Sequence, residues 1–205
     1  NDLKNGGGGA PLAPIFHKLL INQKKIKKPI LILNLGGIAN WTLLGETDDV
    51  KDLHSADAGP GNCLIDKWMR KNSKQNYDKD GSTAKSGTIN ETILNIGINN
   101  YEKLLIEERN NPTINHERNR SYDVKDFDSS FVNGLSLKDG AATLTLYTAN
   151  YFISHFKFIK QNKDTFKEKT ILCGGGRKNK FLVNIIKSWN KNVKLIDDYG
   201  IDGDF

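Results

Sequence analysis

The stretch of sequence that decides the fold is ILILNLGGIANWTLL, residues 30–44. Two apolar runs flank a Gly-Gly pair, and a glycine pair between such runs indicates a β-hairpin. We therefore predict strands at residues 30–35 and 38–44, the first of them apolar on both faces and hence buried on both. A third strand is predicted from Val50 to Ala56, so the hairpin would extend into a three-stranded antiparallel sheet.

Helices and short strands alternate beyond this sheet. After a glycine-rich break at residues 58–62, apolar side chains recur with helical spacing at Leu64, Ile65, Trp68 and Met69. The other predicted elements are a helix within Leu12–Leu20, a loop at 72–82, helices at Ile89–Ile98 and Tyr101–Arg109, an irregular polar segment at 110–130, a long helix from Ser136 to about Lys160, a strand at Thr170–Cys173, a helix after Gly174–Gly176 and a last strand at Val193–Ile196. Three antiparallel strands followed by helix–strand crossovers make an α/β fold. It is similar to one lobe of the actin-like, sugar kinase and Hsp70 ATPase architecture, which is ribonuclease H-like.

Length and charge narrow the class of protein. A chain of 205 residues holds one large domain or two small ones, and a hydrophobic content of 37% argues against disorder throughout. The formal net charge is +6, and lysines occur in short runs such as Lys24-Lys25 and Lys27-Lys28. Such runs are typical of a solvated surface, whereas a nucleic-acid-binding stripe needs basic residues gathered on one face. We expect no nucleic-acid partner.

Cysteine content and hydropathy favour a cytoplasmic protein. Cys63 and Cys173 are the two cysteines, and no CxxC motif or Cys/His cluster accompanies them, so we expect no zinc site and two buried, reduced thiols. No signal peptide is recognised, and no apolar stretch approaches the ~20 residues that span a bilayer, so no membrane partner is expected. The chain has no initiator Met and begins near a glycine run, from which we expect part of a longer or split protein.

Two glycine-rich turns are candidates for binding phosphate. At the hairpin tip, Gly36-Gly37 would let an anion approach the backbone N–H groups, although an ordinary tight turn is the favoured interpretation of such a pair alone. Asp57 precedes Gly59-Pro60-Gly61-Asn62 at the start of a helix. A carboxylate at that place either holds Mg²⁺ or a water near phosphates or caps the loop.

Three further stretches carry weaker signals. Gly174-Gly175-Gly176 follows a strand and would let a base or ribose approach the backbone, although the GKS/T spacing of a Walker loop is absent. Arg177 and Lys178 either meet phosphate or, as is commoner, are exposed charges at the start of a helix. Asp2 before Gly6–Ala10 is a candidate general base, and the acidic turn at Asp197–Asp204 is typical of a solvated loop.

Seven elements, in order along the whole chain, resemble those of the anhydro-N-acetylmuramic acid kinase family. They are Gly6–Leu12 with Phe16-His17, Asn34–Asn40, Asp57–Asn62, Asp78–Gly81, Ala142–Leu144, Gly174–Asn179 and Asp198–Asp204. The resemblance implies an ATP- and Mg²⁺-dependent sugar kinase, which opens 1,6-anhydro-N-acetylmuramic acid with water and phosphorylates the freed O6 during peptidoglycan recycling. Its substrates are therefore expected to be a small-molecule sugar and ATP.

The resemblance also implies roles for individual residues. Asp2 matches the aspartate that activates water, so it is the expected catalytic residue. The expected sugar-binding residues are Gly6, Gly7, Gly9 and Ala10. The expected nucleotide- or phosphate-binding residues are Asn34, Gly36, Gly37, Asn40, Asp57, Gly59, Gly61, Asn62, Gly174, Gly175, Gly176 and Asn179. No residue is assigned to a metal.

The chain also departs from the family pattern. Ala58 stands where the family has Thr, and the family's G-T-S-x-D-G phosphate loop and the helix beyond Phe205 are absent. We expect a segment between lobes at residues 1–28 and an ATPase-type lobe at 29–205, with a helical insertion around 72–135. The expected partner is either a second copy or the absent N-terminal lobe. The alternative to an active kinase is an inactive or split-gene lobe that binds nucleotide or a partner fragment.

Overall fold

A computed structural model describes residues 13–47, 49–109, 122–162 and 169–204. Within these ranges the chain forms six α-helices and five β-strands, joined by short 3₁₀ turns. In chain order they are α1 (Ala13–Gln23), β1 (Ile30–Leu35), β2 (Ala39–Leu44), β3 (Leu53–Gly59), α2 (Cys63–Asn72), α3 (Ser82–Lys85), α4 (Glu91–Arg109), α5 (Leu137–Asn162), β4 (Thr170–Cys173), α6 (Lys180–Trp189) and β5 (Val193–Leu195).

The strands form one mixed sheet in the order β3-β2-β1-β4-β5. β1, β2 and β3 are antiparallel neighbours, β4 lies parallel to β1, and β5 lies parallel to β4. Long helices cross over between strands, so that α5 leads into β4 and α6 leads into β5. The predicted α/β class, with three antiparallel strands followed by helix–strand crossovers, is confirmed.

Both faces of the sheet are buried, as the continuous apolar sequence of β1 predicts. Leu31, Leu33 and Leu35 point into a large core that also includes buried side chains of α2, α5 and α6. Ile30 and Ile32 point to the opposite face, into a smaller core shared with α1. Full burial of each such side chain contributes about 1.5–3 kcal/mol to stability, so β1 is the strand around which the lobe is organised.

Three predicted elements have wrong boundaries. The first helix is predicted within residues 12–20, but α1 runs to Gln23. The third strand is predicted at 50–56, but β3 begins at Leu53, because residues 50–52 form a 3₁₀ turn, and it continues to Gly59. A 2.8 Å bond from the Gly45 amide to the Asp52 carbonyl closes the connection between β2 and β3. Two helices are predicted between 89 and 109, but α4 is continuous. The break predicted at residues 99–100 is therefore absent. Gly97 within this helix makes room for the ring of Phe131, which would lie 2.7 Å from a Cβ there.

Candidate functional site

Two of the turns predicted to bind a nucleotide lie side by side: the hairpin tip at Gly36-Gly37, called here the first glycine turn, and Gly174–Gly176, the second glycine turn. β1 and β4 are parallel neighbours, with Asn34 opposite Cys173, so the turns that follow them leave the same edge of the sheet. Leu35 lies between the turns: a Cβ on Gly174 would be 3.0 Å from its backbone, and one on Gly176 would be 2.7 Å from its Cβ. In α/β sheets such an edge is where ligands bind.

Asn62, at the beginning of α2, holds the helix against the hairpin tip. Its side-chain amide donates to the carbonyl oxygens of Leu35 (3.0 Å) and Gly36 (3.2 Å). Its backbone amide donates to Gly36 (2.8 Å), and the amide of Cys63 donates to Gly37 (3.1 Å). These first amides of α2 therefore bind the hairpin, so they are not available to an anion in this conformation.

The seven predicted site glycines that the structure describes fall into two groups. In five of them a Cβ atom would lie within 3.0 Å of other protein atoms, namely Gly36, Gly59, Gly61, Gly174 and Gly176. A Cβ on Gly37 or Gly175 would have no atom within 4 Å. Packing within the protein explains why the first five positions are glycine. The open space beside Gly37 and Gly175 instead leaves their backbone accessible to a ligand.

Three predicted polar residues form a row across the sheet beside the hairpin tip. Asn34 lies opposite Asn40, and Asn40 lies opposite Asp57, so neighbouring side chains in this row are about 5 Å apart at Cβ. Among the described residues, the side-chain oxygens of Asn34 and Asn40 are buried with no hydrogen-bond partner. One carboxylate oxygen of Asp57 accepts a 2.7 Å hydrogen bond from the backbone amide of Tyr122.

A pocket of about 430 Å³ opens beside the second glycine turn. Four predicted residues line it, namely Asn62, Gly175, Gly176 and Asn179. Of the other lining residues, Lys178 is an alternative phosphate contact in the sequence analysis, and Asp78 and Asp80 belong to a family element without an assigned role. The sequence analysis did not assign the rest to the site, which are Ile65, Asp66, Arg70, Asn76 and Tyr77. The helical spacing after Asn62 is the signal that points to Asp66, since a residue four positions on faces the same side.

Three acids, Asp66, Asp78 and Asp80, line the pocket together with two bases, Arg70 and Lys178. Burial raises the pKa of the Asp66 carboxyl to about 6, with Arg70 opposing the shift and Asp78 adding to it. Carboxyl groups accept hydrogen bonds and repel phosphate. Because the three carboxyl groups outnumber the two basic side chains, the pocket suits the ribose and base of a nucleotide better than its phosphates.

Two polar residues of the pocket have structural roles. Asp78 accepts hydrogen bonds from the amides of Thr83 (2.8 Å) and Ala84 (2.9 Å) and so fixes the short helix α3. Asn179 caps α6 by accepting from the amide of Leu182 at 3.0 Å. Asn179 is therefore a helix cap in this structure, whatever else it contacts.

The expectation of an exposed charge at Arg177 is wrong. Arg177 is buried, with 4% of its side chain exposed, and it pairs with Asp197 and Asp204. Lys178 is exposed and also pairs with Asp204. The acidic turn is accordingly not a wholly solvated loop, because it packs against the second glycine turn through Arg177.

Five predicted residues lie outside the described part of the chain, namely Asp2, Gly6, Gly7, Gly9 and Ala10. In the described ranges, no group of three or more His, Cys, Asp or Glu side chains is arranged to hold a metal ion. No described helix is both long and apolar enough to cross a bilayer. The described thiols are buried, and burial raises the pKa of Cys63 to about 11 and that of Cys173 to about 12.

Comparison with known proteins gives consistent matches. The family model described as anhydro-N-acetylmuramic acid kinase matches residues 1–205. Proteins named anhydro-N-acetylmuramic acid kinase are 46% identical in Pelagibacter ubique (strain HTCC1062), 34% in Methylorubrum populi and 33% in Zymomonas mobilis. Each match covers 100% of this chain and 52%, 50% and 51% of the relative, respectively. The chain thus spans about half the length of these relatives.

Among solved structures, the chain is similar to the activator of the 2-hydroxyisocaproyl-CoA dehydratase from Clostridium difficile with bound ADPNP. The TM-score is 0.49 at 15% sequence identity, and the match covers 84% of this chain and 55% of that one.

Proposed function

The chain belongs to the anhydro-N-acetylmuramic acid kinase family, and from this premise we propose that the protein containing it is an ATP-dependent sugar kinase. Its reaction would convert 1,6-anhydro-N-acetylmuramic acid, ATP and water to N-acetylmuramic acid 6-phosphate and ADP. The observation that carries the proposal is the meeting of two glycine turns, with open backbone at Gly37 and Gly175, beside a pocket of about 430 Å³.

The proposed chemistry couples two bond exchanges. Asp2 would take a proton from water while the water oxygen bonds to C1 of the sugar, and the bond from C1 to the bridging O6 breaks. The freed O6 bonds to the γ-phosphorus, whose bond to the β,γ-bridging oxygen breaks, so ADP leaves. Phosphoryl transfer of this kind depends on positioning and charge stabilisation more than on covalent help from the protein.

The described residues would position the nucleotide. Phosphates fit at the hairpin tip, where the backbone of Gly37 is open and glycine lets an anion approach the N–H groups. The ribose and base would occupy the polar pocket next to Gly175. The other expected nucleotide residues support these two surfaces from behind, since Gly36, Gly59, Gly61, Gly174 and Gly176 are packed against protein atoms.

The residues beside the hairpin tip also suit Mg²⁺, which binds oxygen ligands. Asn34 and Asn40 have buried side-chain oxygens without hydrogen-bond partners in the described part of the chain, and Asp57 lies next in the row. These three residues would hold the ion, directly or through water. When bound, Mg²⁺ would neutralise charge on the phosphates.

The same proposal covers the domain boundaries of the chain, its location in the cell and its partners. Residues 1–28 would lie between lobes, and residues 29–205 would form the ATPase-type lobe with an insertion around 72–135. The activity would be cytoplasmic, because ATP is supplied there. The other face of the cleft would come from a second lobe, and homodimerisation is the further assembly that the family suggests.

The test separates binding from turnover. Titration calorimetry with Mg·ATP measures nucleotide binding to this chain and to its Gly37→Ala and Gly175→Ala variants. Each added methyl group would fill space that is empty in the protein alone, so we expect unchanged folding and at least a tenfold (~1.4 kcal/mol) loss of affinity. Ser188→Thr adds one methyl group to an exposed residue of α6 and should change neither.

Turnover is tested by mass spectrometry with 1,6-anhydro-N-acetylmuramic acid, Mg·ATP and ¹⁸O-water. A product with one phosphate and one ¹⁸O supports the coupled reaction. Undiminished affinity in both glycine variants would contradict the proposed nucleotide site. Nucleotide binding without product, even after a complete second lobe is supplied, would favour the inactive lobe over the kinase.

A further inference from the structure

Arg177 directly follows the second glycine turn, and its buried guanidinium donates four hydrogen bonds to protein acceptors. It makes a bidentate pair with Asp197, with Nε 2.7 Å from Oδ2 and Nη2 3.0 Å from Oδ1. Nη1 donates to Asp204 at 2.5 Å and to the carbonyl oxygen of Gly174 at 3.1 Å. Nη2 also lies 3.7 Å from the carboxylate of Asp202, which is an ion pair and not a hydrogen bond. Four hydrogen bonds thus engage four of the five guanidinium donors.

The backbone joins the same two segments. The amide of Gly174 donates to the carbonyl of Gly203 at 2.9 Å, and the amide of Arg177 donates to the carbonyl of Gly174 at 3.1 Å. Gly174 has φ +75°, a conformation that other residues rarely adopt. A Cβ on Gly203 would lie 2.6 Å from Nε of Arg177, so the acidic turn approaches the arginine as closely as a glycine permits.

We infer that Arg177 is a positioning residue, which holds the Gly174–Gly176 turn in its nucleotide-accepting shape by clamping it to the acidic turn at residues 197–204. Arg177 does not itself contact phosphate, because its side chain is 4% exposed and four of its five donors are occupied. The positive charges of Arg177 and Lys178 are also outweighed by the three carboxylates of Asp197, Asp202 and Asp204. The role in nucleotide binding rests on the proposed function. The clamping of the turn does not, and it is measurable without any ligand.

The first experiment measures amide hydrogen exchange in this chain, in Arg177→Lys and in Arg177→Met. Lysine keeps the charge but cannot reproduce the bidentate pair. We expect the amides of Gly174 and Arg177 to exchange about tenfold faster in the lysine variant and faster still in the methionine variant. Both variants should fold, because Asp197 and Asp204 are 47% and 44% exposed and can be hydrated. Lys187→Met removes an exposed charge from α6 and should leave these rates unchanged.

The second experiment measures dissociation constants for adenosine and Mg·ATP. Positioning by Arg177 predicts that Arg177→Lys weakens both ligands by a similar factor, about tenfold, because the turn itself is displaced. Loss of Mg·ATP affinity with intact adenosine affinity would instead indicate direct phosphate contact and overturn the inference. Unchanged exchange at Gly174 and Arg177 in both variants would also overturn it. If the wild-type chain binds neither ligand, the proposed function is contradicted. The hydrogen-exchange rates still test whether Arg177 holds the Gly174–Gly176 turn.

Discussion

The side-chain nitrogen of Asn62 lies 3.0 Å from the carbonyl oxygen of Leu35, 27 positions earlier in the chain. This hydrogen bond, with its 3.2 Å companion to Gly36, links the beginning of α2 to the end of β1. It therefore fixes the hairpin tip relative to the pocket that α2 lines. A residue expected to bind the nucleotide thus also holds together the surfaces that would bind it.

Replacing Asn62 by alanine should lower both stability and nucleotide affinity. The carbonyls of Leu35 and Gly36 would lose a donor in a part-buried place, which costs about 1–3 kcal/mol. Denaturant unfolding measures the loss. Asn72→Ala is the matched control, because Asn72 makes one 3.0 Å bond to Trp68 at the far end of the same helix. It should leave nucleotide affinity unchanged, and an equal loss of affinity in both variants would contradict the linking role of Asn62.

Gly61→Ala and Gly37→Ala should differ sharply in their effects on stability. A Cβ on Gly61 would overlap the carbonyl oxygen of Gly36, whereas a Cβ on Gly37 meets no atom within 4 Å. We expect Gly61→Ala to cost roughly 1–3 kcal/mol or more through overpacking. Gly37→Ala should change stability by less than about 1 kcal/mol. Thermal and denaturant unfolding compare the two, and similar stability losses would show that the hairpin tip is packed differently.

His17 should make stability depend on pH between about 4 and 6.5. It is buried on α1, where its Nδ1 shares a 2.8 Å hydrogen bond with Oγ1 of Thr42, and burial lowers its pKa to about 4. The unfolded chain binds a proton there at higher pH than the folded chain does. The contribution of His17 is therefore fully present above pH 6.5 and is lost as the pH falls toward 4, by roughly 3 kcal/mol.

The contribution of His17 is isolated by comparing unfolding free energies of the wild type and His17→Gln from pH 7.5 to 4. Asp66 acts in the opposite direction, because its raised pKa makes the folded state bind more protons up to about pH 6. The wild type should lose more stability than His17→Gln over this window. Parallel curves would show that the imidazole is not held neutral.

Asp57→Asn and Asp57→Ala should separate the charge of this residue from its structural hydrogen bond. Asparagine retains an oxygen that can accept from the Tyr122 amide, now at 2.7 Å, whereas alanine leaves that amide without its acceptor. We expect a change below about 1 kcal/mol for asparagine and a cost of about 1–3 kcal/mol for alanine. Unfolding measures both. The Mg²⁺ dependence of ATP binding should weaken in both variants, and full Mg²⁺ dependence in Asp57→Asn would remove this carboxylate from the proposed ion site.

The secondary structure could be predicted and the motifs could be recognised because both depend on residues that are close together in the chain. The apolar runs around Gly36-Gly37 identify the hairpin, and the predicted bounds of β4 match its observed residues, Thr170–Cys173. The predictions fail where distant contacts override local preference. β3 continues to Gly59 because β2 supplies partners for it. α4 is continuous through residues 99–100, where two separate helices are predicted.

By itself, the sequence determined the α/β class, the family resemblance and the two glycine turns, since each depends on residues close together in the chain. Only the tertiary structure decided what those residues contact. It separates the open Gly37 and Gly175 from glycines that are packed by protein atoms, and it pairs Arg177 with Asp197. The physical reason is that such contacts depend on how helices and strands pack in three dimensions. The spacing of residues along the chain does not determine that packing.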